Sequence, residues 1–159
     1  MLILNLFTRV ALFLIFQFLS FPINPAHAIS ETNFEANRYY TDGIQLSRAN
    51  YWKEAVDEFR KAVQVNPKHK LAYANLGVAL SQVGKHKEAL LAFDEAMRLG
   101  YDHALLHYNR GLSFARLHLI EEAVKEIELS LKMDSRNVKA VYNLGLLYLK
   151  QNRPNNAQE

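Results

Sequence analysis

The sequence predicts an all-α fold, a right-handed α-solenoid built from 34-residue helix-turn-helix repeats. Two series of small residues indicate this fold because their members recur at intervals of 34 residues. The glycine series is Gly43, Gly77, Gly111 and Gly145, and the alanine series is Ala55, Ala89, Ala123 and Ala157. A period between 20 and 50 residues is typical of architectures in which each unit buries its apolar face only against its neighbours. We therefore expect stacked units whose first helices line a concave surface.

The amino-terminal residues predict a signal sequence. Residues 2–23 are mostly apolar, with Arg9 as the only charged side chain, and the core of this run is shorter than the roughly 20 residues that a spanning helix needs. The Ala-His-Ala tripeptide at residues 26–28 then supplies a small-x-small cleavage pattern. We expect residues 1–28 to be removed and the exported protein, in the periplasm, a lumen or the extracellular space, to begin at Ile29. An uncleaved membrane anchor is the alternative.

Residues 29–35 are expected to form a short linker, and the repeat domain is expected to follow over residues 36–150. Each unit should contain two helices of about a dozen residues. In the second helix of the first unit, Ala55, Phe59 and Ala62 recur on one apolar face, as in an amphipathic helix. Residues that tolerate a left-handed backbone should end the first helices. These residues are Asn50, Gly84, His118 and Asn152. The complete units are 36–69, 70–103 and 104–137, followed by a partial unit at 138–150 and an incomplete polar tail at 151–159.

The register of these units resembles the tetratricopeptide repeat (TPR) family. That family has Gly at position 8, Ala at positions 20 and 27, an aromatic residue at 24 and Pro at 32. The first unit matches all five positions, with Gly43, Ala55, Phe59, Ala62 and Pro67. The second unit has Tyr101 in place of Pro, and the third has Ile127, Ser130 and Ser135 at positions 24, 27 and 32. The resemblance implies a non-catalytic scaffold that binds other polypeptides.

Composition and motifs point away from several other classes of function. The formal net charge is only +3 and acids alternate with bases, whereas nucleic-acid binders concentrate cations on one face. The sequence has no cysteine and no phosphate-binding loop, zinc-protease motif or nucleophile elbow. His103 and His107 stand four residues apart beside Asp102, a spacing that could bind a metal on a helix. Packing between helices is the favoured interpretation of His107, so no metal is expected. Because the catalytic and cofactor-binding motifs are missing, no enzyme activity or cofactor is expected either. His69 and His86 are expected on the solvated surface.

The resemblance also implies a binding groove, formed by positions 2, 5, 6, 9, 12 and 13 of each first helix. Position 6 gives Asn75, Asn109 and Asn143, and position 5 gives Tyr40, Tyr108 and Tyr142. The basic residues of the groove include Arg48, Arg116 and Lys139. An Asn amide can pair with the backbone of an extended peptide, while Tyr gives rigid area with a polar tip. Alternatively, the Asn residues hydrogen-bond the neighbouring repeat. The Lys, Asn and Arg clamp by which some members hold a carboxy-terminal Asp is not matched, which disfavours binding of chaperone tails.

Two functions remain open at this point. The leading hypothesis is a scaffold outside the cytoplasm that holds a protein or peptide partner, in assembly of an envelope or photosynthetic-membrane complex. The alternative is a structural module that forms a homo-oligomer through residues 138–150. Residues 141–149 are apolar on nearly every side of the predicted helix, and an exposed apolar patch of this kind marks an association site.

Overall fold

The computed structural model describes residues 25–151, which form seven α-helices and no β-strand. The helices are α1 Pro25–Arg48, α2 Trp52–Val65, α3 Lys70–Gln82, α4 His86–Arg98, α5 Ala104–Arg116, α6 Ile120–Met133 and α7 Val138–Gln151. The chain divides into a unit ending at Thr32, of which residues 25–32 are described, and a second unit beginning at Asn33 that holds the repeats. Along residues 25–151, no helix has the length and apolar character needed to cross a membrane. The architecture of the repeat unit is the predicted all-α solenoid.

The helices follow the 34-residue units, with one difference at the amino-terminal side. Helices α3, α5 and α7 begin at Lys70, Ala104 and Val138, the first residues of the second, third and fourth units. Helix α1 instead begins at Pro25, so residues 29–35 are helical where we expected a linker. Proline is well tolerated in a first turn, and neither Pro nor Gly interrupts the sequence again before Gly43. The apolar run of the expected signal sequence, residues 2–23, lies outside the described residues.

The predicted left-handed residues end the first helices. Asn50 and His118 have φ values of 62° and Gly84 has 81°, whereas Asn152 lies outside the described residues. After each of them the next amide donates to a carbonyl five residues back, as from Tyr51 N to Leu46 O at 2.9 Å. This pattern is the Schellman motif, which satisfies the orphan carbonyls of a helix end. The prediction of these turns from Asn, Gly and His is therefore confirmed.

Small residues set the contact between the two helices of each unit. Phe59, Phe93 and Ile127 are at most 1% exposed, and each lies against the position 8 glycine of its own unit. A Cβ atom at Gly77 would lie 2.5 Å from Cε1 of Phe93, well inside van der Waals contact. At Gly145, by contrast, the described residues offer nothing within 4 Å of such an atom. The glycines of the first three units are thus required by packing.

We expected His69 on the solvated surface, but its side chain caps the amino-terminal end of α3. Its Nδ1 accepts a hydrogen bond from the backbone N–H of Ala72 at 3.2 Å, and its Nε2 lies 3.1 Å from Oδ1 of Asn37. The ring centroid stands 4.8 Å from that of Tyr40. Burial lowers the pKa of His69 below its usual range, and a backbone hydrogen bond offsets part of this shift. The neutral ring is the form that can accept at Nδ1.

This cap predicts a dependence of stability on pH. Because the pKa of His69 is lower in the folded chain than in the unfolded chain, its contribution is complete above the unfolded pKa of about 6.5 and is lost as pH falls through the folded value. Loss of a cap costs about 1 kcal/mol. The unfolding free energy of the wild type should therefore fall between pH 7.5 and 5, in part because this cap is lost. His69→Asn keeps a capping acceptor that does not titrate, so we expect its unfolding free energy to fall by about 1 kcal/mol less.

The matched control is His103→Asn, because His103 occupies the N-cap of α5 without making a side-chain capping bond. Urea unfolding followed by circular dichroism at both pH values gives the comparison. If His69→Asn retains the full pH dependence of the wild type, the cap does not contribute in the way described.

Candidate functional site

The first helices α5 and α7 form an apolar groove between them. Its volume is about 290 Å³. Most of its lining comes from the positions that the repeat register predicts. The lining residues are Leu112, Ala115, Arg116, Asn143, Leu146, Leu147 and Lys150. An apolar floor with one amide and two cations at its edge is suited to a peptide that offers both apolar and anionic groups.

Two of the three asparagines at position 6 are hydrogen-bonded to the preceding repeat. Nδ2 of Asn75 donates to Oη of Tyr40 at 3.3 Å and to the carbonyl of Leu71 at 3.0 Å. Nδ2 of Asn143 makes the corresponding bonds to Oη of Tyr108 and the carbonyl of Lys139, both at 2.9 Å. Each amide therefore spends both N–H donors within the protein, as the structural interpretation predicted. The amide oxygens have no hydrogen-bond partner among the described residues and stay available as acceptors.

Asn109 differs from the other two asparagines. Position 5 of the preceding unit is Ala74 where the other units have tyrosine, so no phenol oxygen is present for Asn109 to reach. Its side chain makes no hydrogen bond to any described residue and is half-buried. Asn109 thus keeps both its donors and its acceptor free, in the middle of the row of first helices.

The tyrosines at position 5 do not present equal surfaces. Tyr108 is only 9% exposed and belongs to the core, whereas Tyr142 is 67% exposed. Tyr40 is half-buried and packs with its ring centroid 6.0 Å from that of Phe59. Burial, and then the nearby Tyr101, raise the pKa of Tyr40, against the lowering effect of the Asn75 bond. Tyr40 and Tyr108 therefore serve packing as well as the groove, and Tyr142 alone offers a largely open ring.

The cations at the predicted groove positions are exposed, and two of them, Arg116 and Lys150, line the groove between α5 and α7. Nζ of Lys150 lies 3.3 Å from Nδ1 of His118. Arg48, Arg116 and Lys139, together with Lys150, have no carboxylate partner among residues 25–151, and no groove position holds Asp or Glu. Outer helices show the opposite pattern, as in the ion pair of Arg60 with Glu88 at 2.6 Å. Cations without counterions along a groove favour an anionic ligand.

His107 belongs to a partly buried ionic cluster. The ring is 2% exposed, with Nδ1 2.8 Å from Oε2 of Glu126 and Nε2 2.7 Å from Oδ1 of Asp102. Arg110 bonds the other carboxylate oxygen of Glu126 and reaches Asp94 at 2.9 Å. Within residues 25–151, no group of His, Asp and Glu has the arrangement of a metal site. The cluster joins α4, α5 and α6.

Sequence reasoning missed two features of this site. The first is the bond between Tyr at position 5 and Asn at position 6 of the next unit, which a search for pairs 35 residues apart would have found as Tyr40 with Asn75 and Tyr108 with Asn143. The second is that Ala74 stands where the other units have tyrosine, which leaves the side chain of Asn109 without a hydrogen-bond partner among the described residues. A gap in a periodic series is the signal for it.

Comparisons with known proteins support the repeat fold. The tetratricopeptide repeat family model matches residues 43–100, 79–131 and 108–157, more than half of the chain. Comparison with curated proteins gives no significant match. Three solved structures illustrate the similarity of fold.

The first TPR of Spaghetti (RPAP3), solved with an HSP90 peptide, has a TM-score of 0.71 and 21% identity, covering 75% of this chain and 94% of that chain. The second TPR domain of human RPAP3, in complex with an HSP70 peptide, has a TM-score of 0.66 and 18% identity over 75% of this chain and 97% of that chain. YrrB, a TPR protein with an unusual peptide-binding site, has a TM-score of 0.68 and 22% identity, covering 80% of this chain and 66% of that chain. At these identities the similarity shows the fold.

Proposed function

Because the chain belongs to the tetratricopeptide repeat family, we propose that it is a non-catalytic scaffold that binds a partner polypeptide in its concave groove. The single observation that carries this proposal is the groove between α5 and α7, with its apolar floor and with Arg116 and Lys150, which have no carboxylate partner among residues 25–151. Some relatives of similar fold were solved with peptides bound, which supports the same class of ligand here.

The partner we propose is an extended segment with acidic residues. Apolar side chains such as Leu112 and Leu146 would desolvate it, and the free amide oxygens of Asn75 and Asn143 would accept from its backbone N–H groups. The cations at position 13, Arg48, Arg116 and Lys150, would pair with its carboxylates. This set of cations differs from the carboxy-terminal clamp of some relatives, so the partner need not end in a chaperone tail.

The test is selection of peptides on the full-length chain. A phage-displayed library of random dodecapeptides is expected to enrich acidic sequences with apolar residues between the acids. The most enriched sequence, synthesised with fluorescein, then serves as the probe in fluorescence anisotropy. Lys150→Glu is expected to weaken its binding by about tenfold, which corresponds to about 1.4 kcal/mol.

The matched control is Lys125→Glu on the outer helix α6, which makes the same charge change at another exposed lysine. We expect its affinity to stay within about twofold of the wild type. Equal losses in both variants would show that net charge alone governs binding, and a library that enriches no peptide would overturn the proposal.

The setting we propose is outside the cytoplasm, with the partner in an envelope or photosynthetic-membrane complex. The support for export is the apolar run at residues 2–23 followed by the Ala-His-Ala tripeptide. Amino-terminal sequencing of the native protein should give Ile29. Recovery of chains that begin at Met1 from membranes would contradict it.

A second candidate function, self-association, is favoured by the exposed face of α7. Val141 is 54%, Tyr142 67% and Leu149 63% exposed. A second copy that packs on this face would remove apolar area from water, which is worth about 25 cal/mol per Å². We expect the double variant Leu146→Lys with Leu149→Lys to shift dimers to monomers in sedimentation velocity at several concentrations.

Leu91→Lys is the control, because Leu91 is 68% exposed on α4, outside the α7 face, and should leave the dimer unchanged. If the wild type sediments as a monomer at the highest concentration, this second function is ruled out.

A further inference from the structure

The first helices hold a gap where the tyrosine series is interrupted. Position 5 is Tyr40, Ala74, Tyr108 and Tyr142 in the four units, so the second unit alone lacks a ring. Tyr101, at position 32, lines the same cavity as Ala74, whereas the first and third units have Pro67 and Ser135 at that position. A large residue at one position thus accompanies a small residue at the other. The exchange between Ala74 and Tyr101 leaves space on the concave side.

The space left beside Ala74 is a cavity of about 50 Å³. Its lining combines apolar side chains with the amides of Asn75 and Asn109. The lining residues are Ala74, Asn75, Val78, Phe93, Tyr101, Leu105, Leu106 and Asn109. Phe93 and Leu106 are buried, while Leu105 is 60% exposed, so the cavity extends from the core to the surface of the groove. A cavity of roughly 150 Å³ holds benzene, and this smaller one has the size of a methyl or isopropyl group.

Asn109, one of the two amides in this lining, has hydrogen-bonding groups that no described residue uses. The equivalent Asn75 and Asn143 spend their N–H donors on Tyr40 and Tyr108. Asn109 has no such partner because Ala74 replaces the tyrosine. A peptide group beside the cavity could therefore receive a hydrogen bond from Nδ2 and give one to Oδ1. The cavity and the amide of Asn109 can thus hold one ligand residue, the cavity by its side chain and the amide by its peptide group.

We propose that the cavity beside Ala74 is a subsite for one small apolar side chain, Ala or Val, of a bound acidic peptide, with Asn109 holding the adjacent peptide group. The proposal rests on the proposed function and deepens it by naming the residue that the middle of the groove selects. Charge complementarity supports this occupant. Arg48 lies in the first unit and Arg116, Lys139 and Lys150 in the third and fourth, so the expected ligand has acids on both sides of the small residue.

The test uses the fluorescein-labelled peptide selected on the full-length chain. Each of its positions is replaced in turn by Gly and by Phe. One position, occupied by Ala or Val in the selected peptide, is expected to lose about fivefold or more in affinity with either change, because Gly leaves the cavity empty and Phe does not fit. In Ala74→Leu, which fills the cavity, the peptide with Gly at this position should bind at least as well as the parent.

A second variant guards against a folding defect in Ala74→Leu. The double substitution Ala74→Tyr with Tyr101→Ser reproduces the pair found as Tyr108 and Ser135 in the third unit, and its new phenol would meet Asn109. We expect this variant to fold, as checked by circular dichroism, and to bind the parent peptide about tenfold more weakly. Asn109→Ala should weaken binding with little change in melting temperature, whereas Asn143→Ala should lower both.

The outcomes separate the two proposals. If peptides are enriched but the parent binds Ala74→Leu and the double variant as tightly as the wild type, the subsite is overturned while the groove stands. If binding persists but no position shows the joint loss with Gly and Phe, the subsite is likewise overturned. Failure to enrich any peptide overturns the proposed function together with the subsite.

Discussion

Replacing Gly77 with Ala is expected to lower the free energy of unfolding by about 1 to 3 kcal/mol, the usual cost of overpacking a core. The new methyl carbon would stand 2.5 Å from Cε1 of Phe93. Phe93 is 1% exposed and enclosed, so its ring cannot move aside freely and α3 must separate from α4. Urea unfolding followed by circular dichroism gives the free energies. Gly77→Leu should be more severe still.

Gly145→Ala is the matched control because it makes the same change at position 8 of the fourth unit. No described residue lies within 4 Å of the added atom, so only the helix preference of Ala over Gly acts there. That preference is about 0.5 to 1 kcal/mol, and Gly145→Ala should therefore stabilise the protein. Substitutions that change stability in the same direction at both glycines would show that the contact with Phe93 does not decide the effect.

Glu126→Ala is expected to cost about 3 kcal/mol, the lower end of the cost of breaking a buried ion pair. His107 and Arg110 would keep only the exposed carboxylates of Asp102 and Asp94. Glu126 is the shared acceptor of His107 and Arg110. The side chains of His107 and Arg110 are 2% and 18% exposed, so water does not easily replace the lost carboxylate. Thermal and urea unfolding would both report the loss.

The exposed pair of Glu95 with Arg98 supplies the comparison. Their oxygen and nitrogen stand 2.7 Å apart, but the side chains are 41% and 65% exposed. Exposed pairs contribute about 0.2 to 1 kcal/mol, so Glu95→Ala should have a small effect. A loss at Glu126 no larger than at Glu95 would show that the cluster is not a structural element of the interface between the second and third units.

The backbone of the fold could be predicted from the sequence because its causes are local. Gly84 and Asn50 end helices through their own tolerance of positive φ, and Gly77 marks a close approach that repeats every 34 residues. The beginning of α1 could not be fixed in this way, because nothing in residues 29–35 either forbids or demands a helix. In that stretch the repeat register gives no information.

The side-chain partners of the site were harder to predict than its positions. The register placed Asn75, Asn109 and Asn143 at one helix position. Whether the amide of each donates a hydrogen bond within the protein depends on a tyrosine 35 residues earlier. His107 likewise reads as packing in the sequence, and its carboxylate partners come from Asp102 just before α5 and from Glu126 on α6. Such bonds depend on the distance between helices, which a periodic pattern does not specify.

The apolar core of the repeat unit falls into two clusters, and this has a consequence for folding. One cluster extends from Ala55 and Phe59 to Phe93 and reaches α5 only through Leu106, and the other runs from Tyr108 to Leu147. Polar contacts connect the second and third units. The ionic cluster around Glu126 joins α4, α5 and α6, and Ser113 on α5 donates a hydrogen bond to Ser81 on α3 at 3.2 Å. In a linear array, cooperativity passes only through contacts between neighbours. The two halves can therefore open separately, and amide protection against hydrogen exchange should divide into two classes at the loop between α4 and α5.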